Sequence, residues 1–306
     1  MVETKSRVLR VVAITVVLSG LIAGCGVDPE QWVQYFTSPP GPARITFADD
    51  RQSVFVMNPD GSGVTRIGVG SDPSIAPDGS RIVVGGGSIS TMDPDGSHVT
   101  KLADGGYQPT FSPDTRRIVF VRGGAIYMMN NDGHQLKQLT PTRGSTVGSD
   151  RTSSQDPSFS RDGSKIVFVR AGAVWVMASD GTGQRPLLAD SYDNSEPVFT
   201  PDGARIVFTS NRGGKNRSEI YVMGADGDHI RPLTDDWTGH PSFYLDGIPA
   251  SSPDSTAFLF TRFTRDSASK PGAEVWEMNI DGSDSHRLTD PKQVAQHPSA
   301  GGGEDM

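Results

Sequence analysis

The chain has 306 residues, with 28 Lys and Arg against 36 Asp and Glu and a formal net charge of −8. That length can bury a core without disulfides, and the single cysteine excludes an internal one. The acidic balance, with no Lys/Arg cluster, excludes binding to a phosphate backbone, which needs grouped cations to release counterions.

The N-terminus reads as an export signal. Lys5, Arg7 and Arg10 precede the apolar run Val11–Gly24, 14 residues long. A spanning helix needs roughly 20 residues, so a signal peptide over 1–24 fits better than an anchor. The run ends Leu21-Ile-Ala-Gly-Cys25, which resembles the bacterial lipobox. The resemblance implies cleavage before Cys25, lipid attachment on its thiol, and a folded part held outside the cytoplasm on the cell membrane. Each buried lipid CH₂ adds about 0.8 kcal/mol to such anchoring. Residues 25–42, with Trp32, Tyr35, Phe36 and the helix-breaking Ser38-Pro-Pro-Gly-Pro42, read as a lipid-anchored spacer.

The remaining chain is a repeat. Met57, Met92, Met129, Met177, Met223 and Met278 are each followed three residues later by Asp-Gly, at Asp60, Asp95, Asp132, Asp180, Asp226 and Asp281. Seven residues after each Asp comes Ile67, Leu102, Leu139, Leu187, Leu233 or Leu288. Such periods indicate a propeller or a related array. Within a unit a first strand begins at a Pro (Pro73, Pro109, Pro157, Pro197) and turns at Asp78, Asp114, Asp162 or Asp202. A second strand follows as Ile82-Val-Val, Ile118-Val-Phe-Val, Ile166-Val-Phe-Val or Ile206-Val-Phe-Thr. A third ends at the repeated Met, and a short fourth holds the Leu or Ile. Asp93-Pro-Asp95-Gly96 and Asn279-Ile-Asp281-Gly282 lack the later ligands of a calcium loop and read as hairpin turns.

Four antiparallel strands make one propeller blade, with apolar side chains on both faces meeting neighbouring blades. The Met residues are expected at those contacts, filling irregular gaps. The first unit, Arg44–Phe47 and Val54–Met57, has no Pro-led strand, and the last, Gln296–Ala300, has nothing after one. Joined, they complete one blade and hide two edges. The expectation is an all-β, six-bladed β-propeller of four-stranded antiparallel blades over 43–300, closed by a C-terminal first strand against three N-terminal strands. A disordered tail is expected over 301–306. The blade before closure offers two starts, Pro241 and Pro249, and Pro249 leads more directly into Phe258-Leu-Phe-Thr261. Insertions are expected at Thr140–Gln155, Ser210–Ser218, His240–Ile248 and Arg262–Gly272.

Ser112-Pro-Asp-x-x-Arg-Ile-Val-Phe120, Thr200-Pro-Asp-Gly-Ala-Arg-Ile-Val-Phe208 and Ile220-Tyr-Val-Met-Gly-Ala-Asp-Gly227 resemble the repeats of TolB-type WD-like propellers. The resemblance spans about 44–300. It implies the fold, and such repeats are those of periplasmic and surface scaffolds and of the propellers attached to prolyl-peptidase-type hydrolases.

The residue before each Pro is expected at the mouth of a central channel: Asp72, Gln108, Asp156, Glu196, His240 (Ile248 if Pro249 leads) and His297. Glu196, His240, His297 and Asp72 form a contiguous arc in unit order. Two His and two carboxylates suit a divalent metal, and Glu196 or a His suits general acid or base work on a sugar or peptide. Otherwise these residues simply face water in the channel or cap local turns. His98, His134, His229 and His286 follow Asp-Gly turns and read as surface. No Gly-x-Ser-x-Gly nucleophile elbow and no cofactor motif occurs. The expected function is a membrane-anchored, monomeric module that binds a protein or peptide partner in the bacterial envelope. The alternatives are a lyase or hydrolase on a carbohydrate or peptide, and a small-ligand sensor.

Overall fold

The computed structural model describes residues 43–142, 153–214, 218–234, 243–244, 257–265, 271–290 and 293–302. The export segment, Cys25, the spacer, His240, Pro241 and Pro249 lie outside the described residues. Short β-branched and aromatic runs between Gly- and Pro-rich turns form strands throughout.

The closing sheet has the order β22-β1-β2-β3, from Gln296–Gly301, Arg44–Ala48, Ser53–Met57 and Thr65–Val69. The C-terminal strand pairs antiparallel with the N-terminal one, Ile45 opposite Ala300 and Thr46 opposite Ser299. Three further sheets have four consecutive antiparallel strands each. They are β10–β13 (Ser154–Phe159, Lys165–Arg170, Ala173–Ala178, Arg185–Leu188), β14–β17 (Asn194–Phe199, Arg205–Ser210, Glu219–Gly224, Arg231–Pro232) and β18–β21 (Phe243–Tyr244, Ala257–Arg265, Pro271–Asn279, His286–Arg287).

The expected count of six four-stranded blades is not met. Among the described residues the strands form five hydrogen-bonded sheets, one of them six-stranded, in the order β4-β5-β6-β7-β8-β9. Its strands are Ser71–Ile75, Ile82–Met92, Thr100–Phe111, Arg117–Arg122, Ala125–Asn130 and Lys137–Gln138. The physical reason lies in β6, which is extended over 12 residues where a strand, a connection and a new strand were expected. Its first half pairs with β5 through Thr100, Lys101 and Ala103. Its second half pairs with β7 through Tyr107, Thr110 and Phe111. Gly105 and Gly106, at φ +61° and +125°, lie where the pairing with β5, which reaches Gly106 opposite Gly86, hands over to the pairing with β7 at Tyr107. The repeats that carry Met92 and Met129 therefore share one sheet.

Two further expectations are corrected. Phe243 and Tyr244 pair with Arg262 and Thr261, so the segment after His240, not Pro249, supplies that first strand. The propeller also passes residue 300: Gly301 is in β22, and the Gly302 N–H donates to the Pro77 carbonyl at 2.8 Å.

The core is six apolar clusters in cyclic order. Five join neighbouring sheets, and one lies within the six-stranded sheet, where Val83 and Ile89 meet Phe111, Ile118 and Phe120. Each cluster holds one repeated Met, at 0–1% exposure. The following Asp-Gly does more than reverse the chain. A Cβ on Gly61 would lie 2.2 Å from the Leu288 carbonyl oxygen, and on Gly96, Gly227 and Gly282 it would lie 2.1, 2.5 and 2.6 Å from those of Ile67, Leu187 and Leu233. Each turn thus seats on the fourth strand of the preceding repeat, which only glycine permits at φ +81° to +99°. The paired Asp receives the backbone N–H two residues on, as Asp60 does from Ser62, Asp180 from Thr182 and Asp281 from Ser283, each at 2.9 Å.

Candidate functional site

At the five described positions the residue before the Pro does not begin its strand. It lies inside the strand, at a bulge. Ser71 pairs with Gly85 and Ser74 with Val83, so Asp72-Pro73 together oppose Val84. In the same way Gln108-Pro109 oppose Phe120, Asp156-Pro157 oppose Phe168, Glu196-Pro197 oppose Phe208, and His297-Pro298 oppose Phe47. A bulge leaves the Pro nitrogen with no ladder bond to lose.

All five bulge residues are in the left-handed region: Asp72 at φ +48°, Gln108 at +53°, Asp156 at +51°, Glu196 at +52° and His297 at +53°. A non-glycine residue held there costs about 1–3 kcal/mol, and such strain clusters at functional sites. At four of the five the N–H is bonded to the preceding unit. The Gln108 N–H donates to Asp72 Oδ2 at 3.1 Å, the Asp156 N–H to Gln108 Oε1 at 3.0 Å, and the Glu196 N–H to Asp156 Oδ2 at 3.1 Å. The Gln108 amide also donates to Asp156 Oδ1. The His297 N–H donates to the Thr261 hydroxyl at 3.1 Å, and His297 Nδ1 lies 3.4 Å from Asp72 Oδ1. Thr209 donates to Glu196 Oε2 at 3.2 Å, and Glu196 is only 8% exposed.

The structure thus brings Asp72, Gln108, Asp156, Glu196 and His297 into one hydrogen-bonded arc, while His240 lies outside the described residues. The side chains are not merely solvated, because each of the first three carries a backbone N–H of the next unit. Among the described residues, no group of three His, Cys, Asp or Glu is placed to hold a metal ion.

Two features of this face were missed in the sequence. Tyr107, beside the arc, is 37% exposed. Burial, then the charges of Asp156 and Asp72, raises its hydroxyl above the ordinary tyrosine range. Its signal was an aromatic next to a pre-proline residue. Farther out, arginines stack on aromatics of the third strand: Arg122 on Tyr127 at 4.2 Å, Arg170 on Trp175 at 4.7 Å, Arg212 on Tyr221 at 5.0 Å and Arg262 on Trp276 at 4.6 Å. The Phe-x-Arg of β7, β11 and β19 carried that signal.

Five sheets linked in a cycle, with bulged inner strands meeting at one end, define a β-propeller whose polar site is built from equivalent positions of successive units. The family follows from the sequence. A family model described as the TolB beta propeller domain matches residues 88–303, and the chain belongs to that family.

Solved structures agree on the fold. TolB from Acinetobacter baumannii aligns over 88% of this chain and 69% of its own, with 17% identity and a TM-score of 0.64. A protein designated TolB from Agrobacterium tumefaciens aligns over 85% of this chain and 98% of its own, with 18% identity and a TM-score of 0.62. An oligogalacturonate lyase in complex with manganese aligns over 78% of this chain and 70% of its own, with 14% identity and a TM-score of 0.52.

Proposed function

We propose that this propeller is a lipid-anchored binding module of the bacterial cell envelope, held through Cys25 on the extracytoplasmic side of the membrane. Its partner is a protein or peptide segment that docks on the face where the bulged strands begin. The observation that carries this reading is the arc of five strained bulge residues, with the exposed Tyr107 beside it. Tyr and Arg dominate the binding energy of protein interfaces, and both lie around this arc. Membership of the TolB propeller family supports the same reading. Glu196, buried and accepting from Thr209, ties the arc to β15.

A photo-crosslinking residue at Tyr107, compared with one at Gly203 on the opposite face, tests the proposal in intact cells. Covalent capture of a defined partner from Tyr107 alone is expected. Equal capture from both positions, or none from Tyr107, overturns it. Cys25→Ser should move the protein from the membrane to the soluble fraction, and persistent membrane attachment would sink the anchor.

A further inference from the structure

The four stacked arginines differ in what faces them. Arg212 donates to Asp190 Oδ2 and Asn194 Oδ1, both at 3.0 Å. Beside Arg262, Glu274 accepts from the Trp276 indole at 2.9 Å, and its charge acts on the Arg262 guanidinium. Glu219 stands in the same place in β16, two residues before Tyr221, and accepts its hydroxyl at 3.2 Å. Two residues before Tyr127 the chain has Ala125, and two before Trp175 it has Ala173, where Arg170 donates instead to Ser154 Oγ at 3.1 Å and Gln184 Oε1 at 2.9 Å. The Arg122 side chain has no hydrogen bond and no ion pair among the described residues. The charge of Asp104 reaches it, but that carboxylate is 90% exposed and already paired with Lys101.

We propose that Arg122, stacked on Tyr127, is a carboxylate-binding subsite that receives an acidic side chain or the chain terminus of the docked peptide. The ligand's carboxylate takes the place that Glu219 and Glu274 fill from within their own units. The subsite deepens the docking reading above and rests on it. A planar guanidinium whose face is covered by an aromatic ring keeps its edge for a bidentate carboxylate. The position fits a segment lying across the arc, because Tyr107 pairs with Val121, the residue before Arg122. Non-specific attraction is not a rival explanation: the protein carries a net charge of −8, so its overall field repels an acidic peptide.

The test is fluorescence anisotropy with labelled hexaglutamate, as free acid and as C-terminal amide, and with hexalysine, at about 150 mM salt, where the screening length is about 8 Å. Saturable hexaglutamate binding is expected, weakened at least tenfold by Arg122→Ala and severalfold by Arg122→Lys, which keeps the charge but loses the fork. Ala125→Glu should block the subsite from within, and thermal melts of each variant report whether it folds. Should Ala125→Glu fail to fold, Tyr127→Leu removes the platform instead. Loss confined to the amide form assigns the chain terminus, and equal binding of both forms assigns the side chain. Absence of saturable binding, or equal binding to wild type and Arg122→Ala, overturns the subsite. A partner captured from Tyr107 but indifferent to Arg122→Ala sinks the subsite and leaves the docking face. Missing capture alongside Arg122-dependent hexaglutamate binding does the reverse.

Discussion

At the residue scale the fold rests on short polar knots. Ser160 is one: its hydroxyl donates to Asp162 Oδ1 at 2.6 Å and accepts the Lys165 N–H at 2.9 Å. The Ser160 hydroxyl, then the N–H and hydroxyl of Ser164, hold the Asp162 carboxyl at about 2. The folded value lies below the ordinary one, so this contribution is complete above about pH 4 and is lost as pH falls toward 2. Ser160→Ala should raise the Asp162 midpoint in a carboxyl NMR titration, and an unchanged midpoint would remove Ser160 as the cause. The glycines offer a paired test. Gly203 is at φ +67° with nothing within 4 Å of a Cβ, so Gly203→Ala should cost only the left-handed strain, about 1–2 kcal/mol. Gly96→Ala meets the same strain and a carbonyl oxygen at 2.1 Å. It should melt well below Gly203→Ala in urea, and equal midpoints would mean that the turn does not seat on Ile67.

At the scale of elements the repeated Met carries the packing between units. Met177, at 1% exposure, lies in the cluster that joins β7 and β8 to β11 and β12. Met177→Ala should cost about 2–5 kcal/mol, read as a lowered urea midpoint with unchanged slope. Periodicity exposed this role, since a spacing of Met, Asp-Gly and Leu survives in one dimension. The pre-proline positions and the joining of β22 to β1 were legible for the same reason. The left-handed conformation of Asp72, Gln108, Asp156, Glu196 and His297 was not, because Pro after them suggested only an extended residue. Nor was the bonding of one unit's side chain to the next unit's N–H, which depends on how sheets approach. The shared sheet was hidden in Ala103–Tyr107, where the chain passes through two positive-φ glycines without leaving the ladder: Gly106 still pairs with β5 and Tyr107 already pairs with β7. Pro249 outranked the segment after His240 because nearness in sequence does not decide which strand pairs with β19.

At the scale of the whole molecule the arc and the closing sheet support each other. Asp156 bonds both Gln108 and Glu196, so Asp156→Ala should leave the Glu196 N–H without its acceptor, costing about 1–3 kcal/mol in thermal melts. Unchanged stability would reduce the arc to a solvent-facing rim. The closing sheet has a different consequence. Arg44 pairs with Gly301, so the two ends of the folded chain are neighbours on one sheet. The starting point of translation is then arbitrary for this architecture. A circular permutant that links those ends by a short flexible connector and opens at Gly203 should fold and melt cooperatively. It would present new termini on the side away from Tyr107, giving a handle for immobilising the protein with its docking face free.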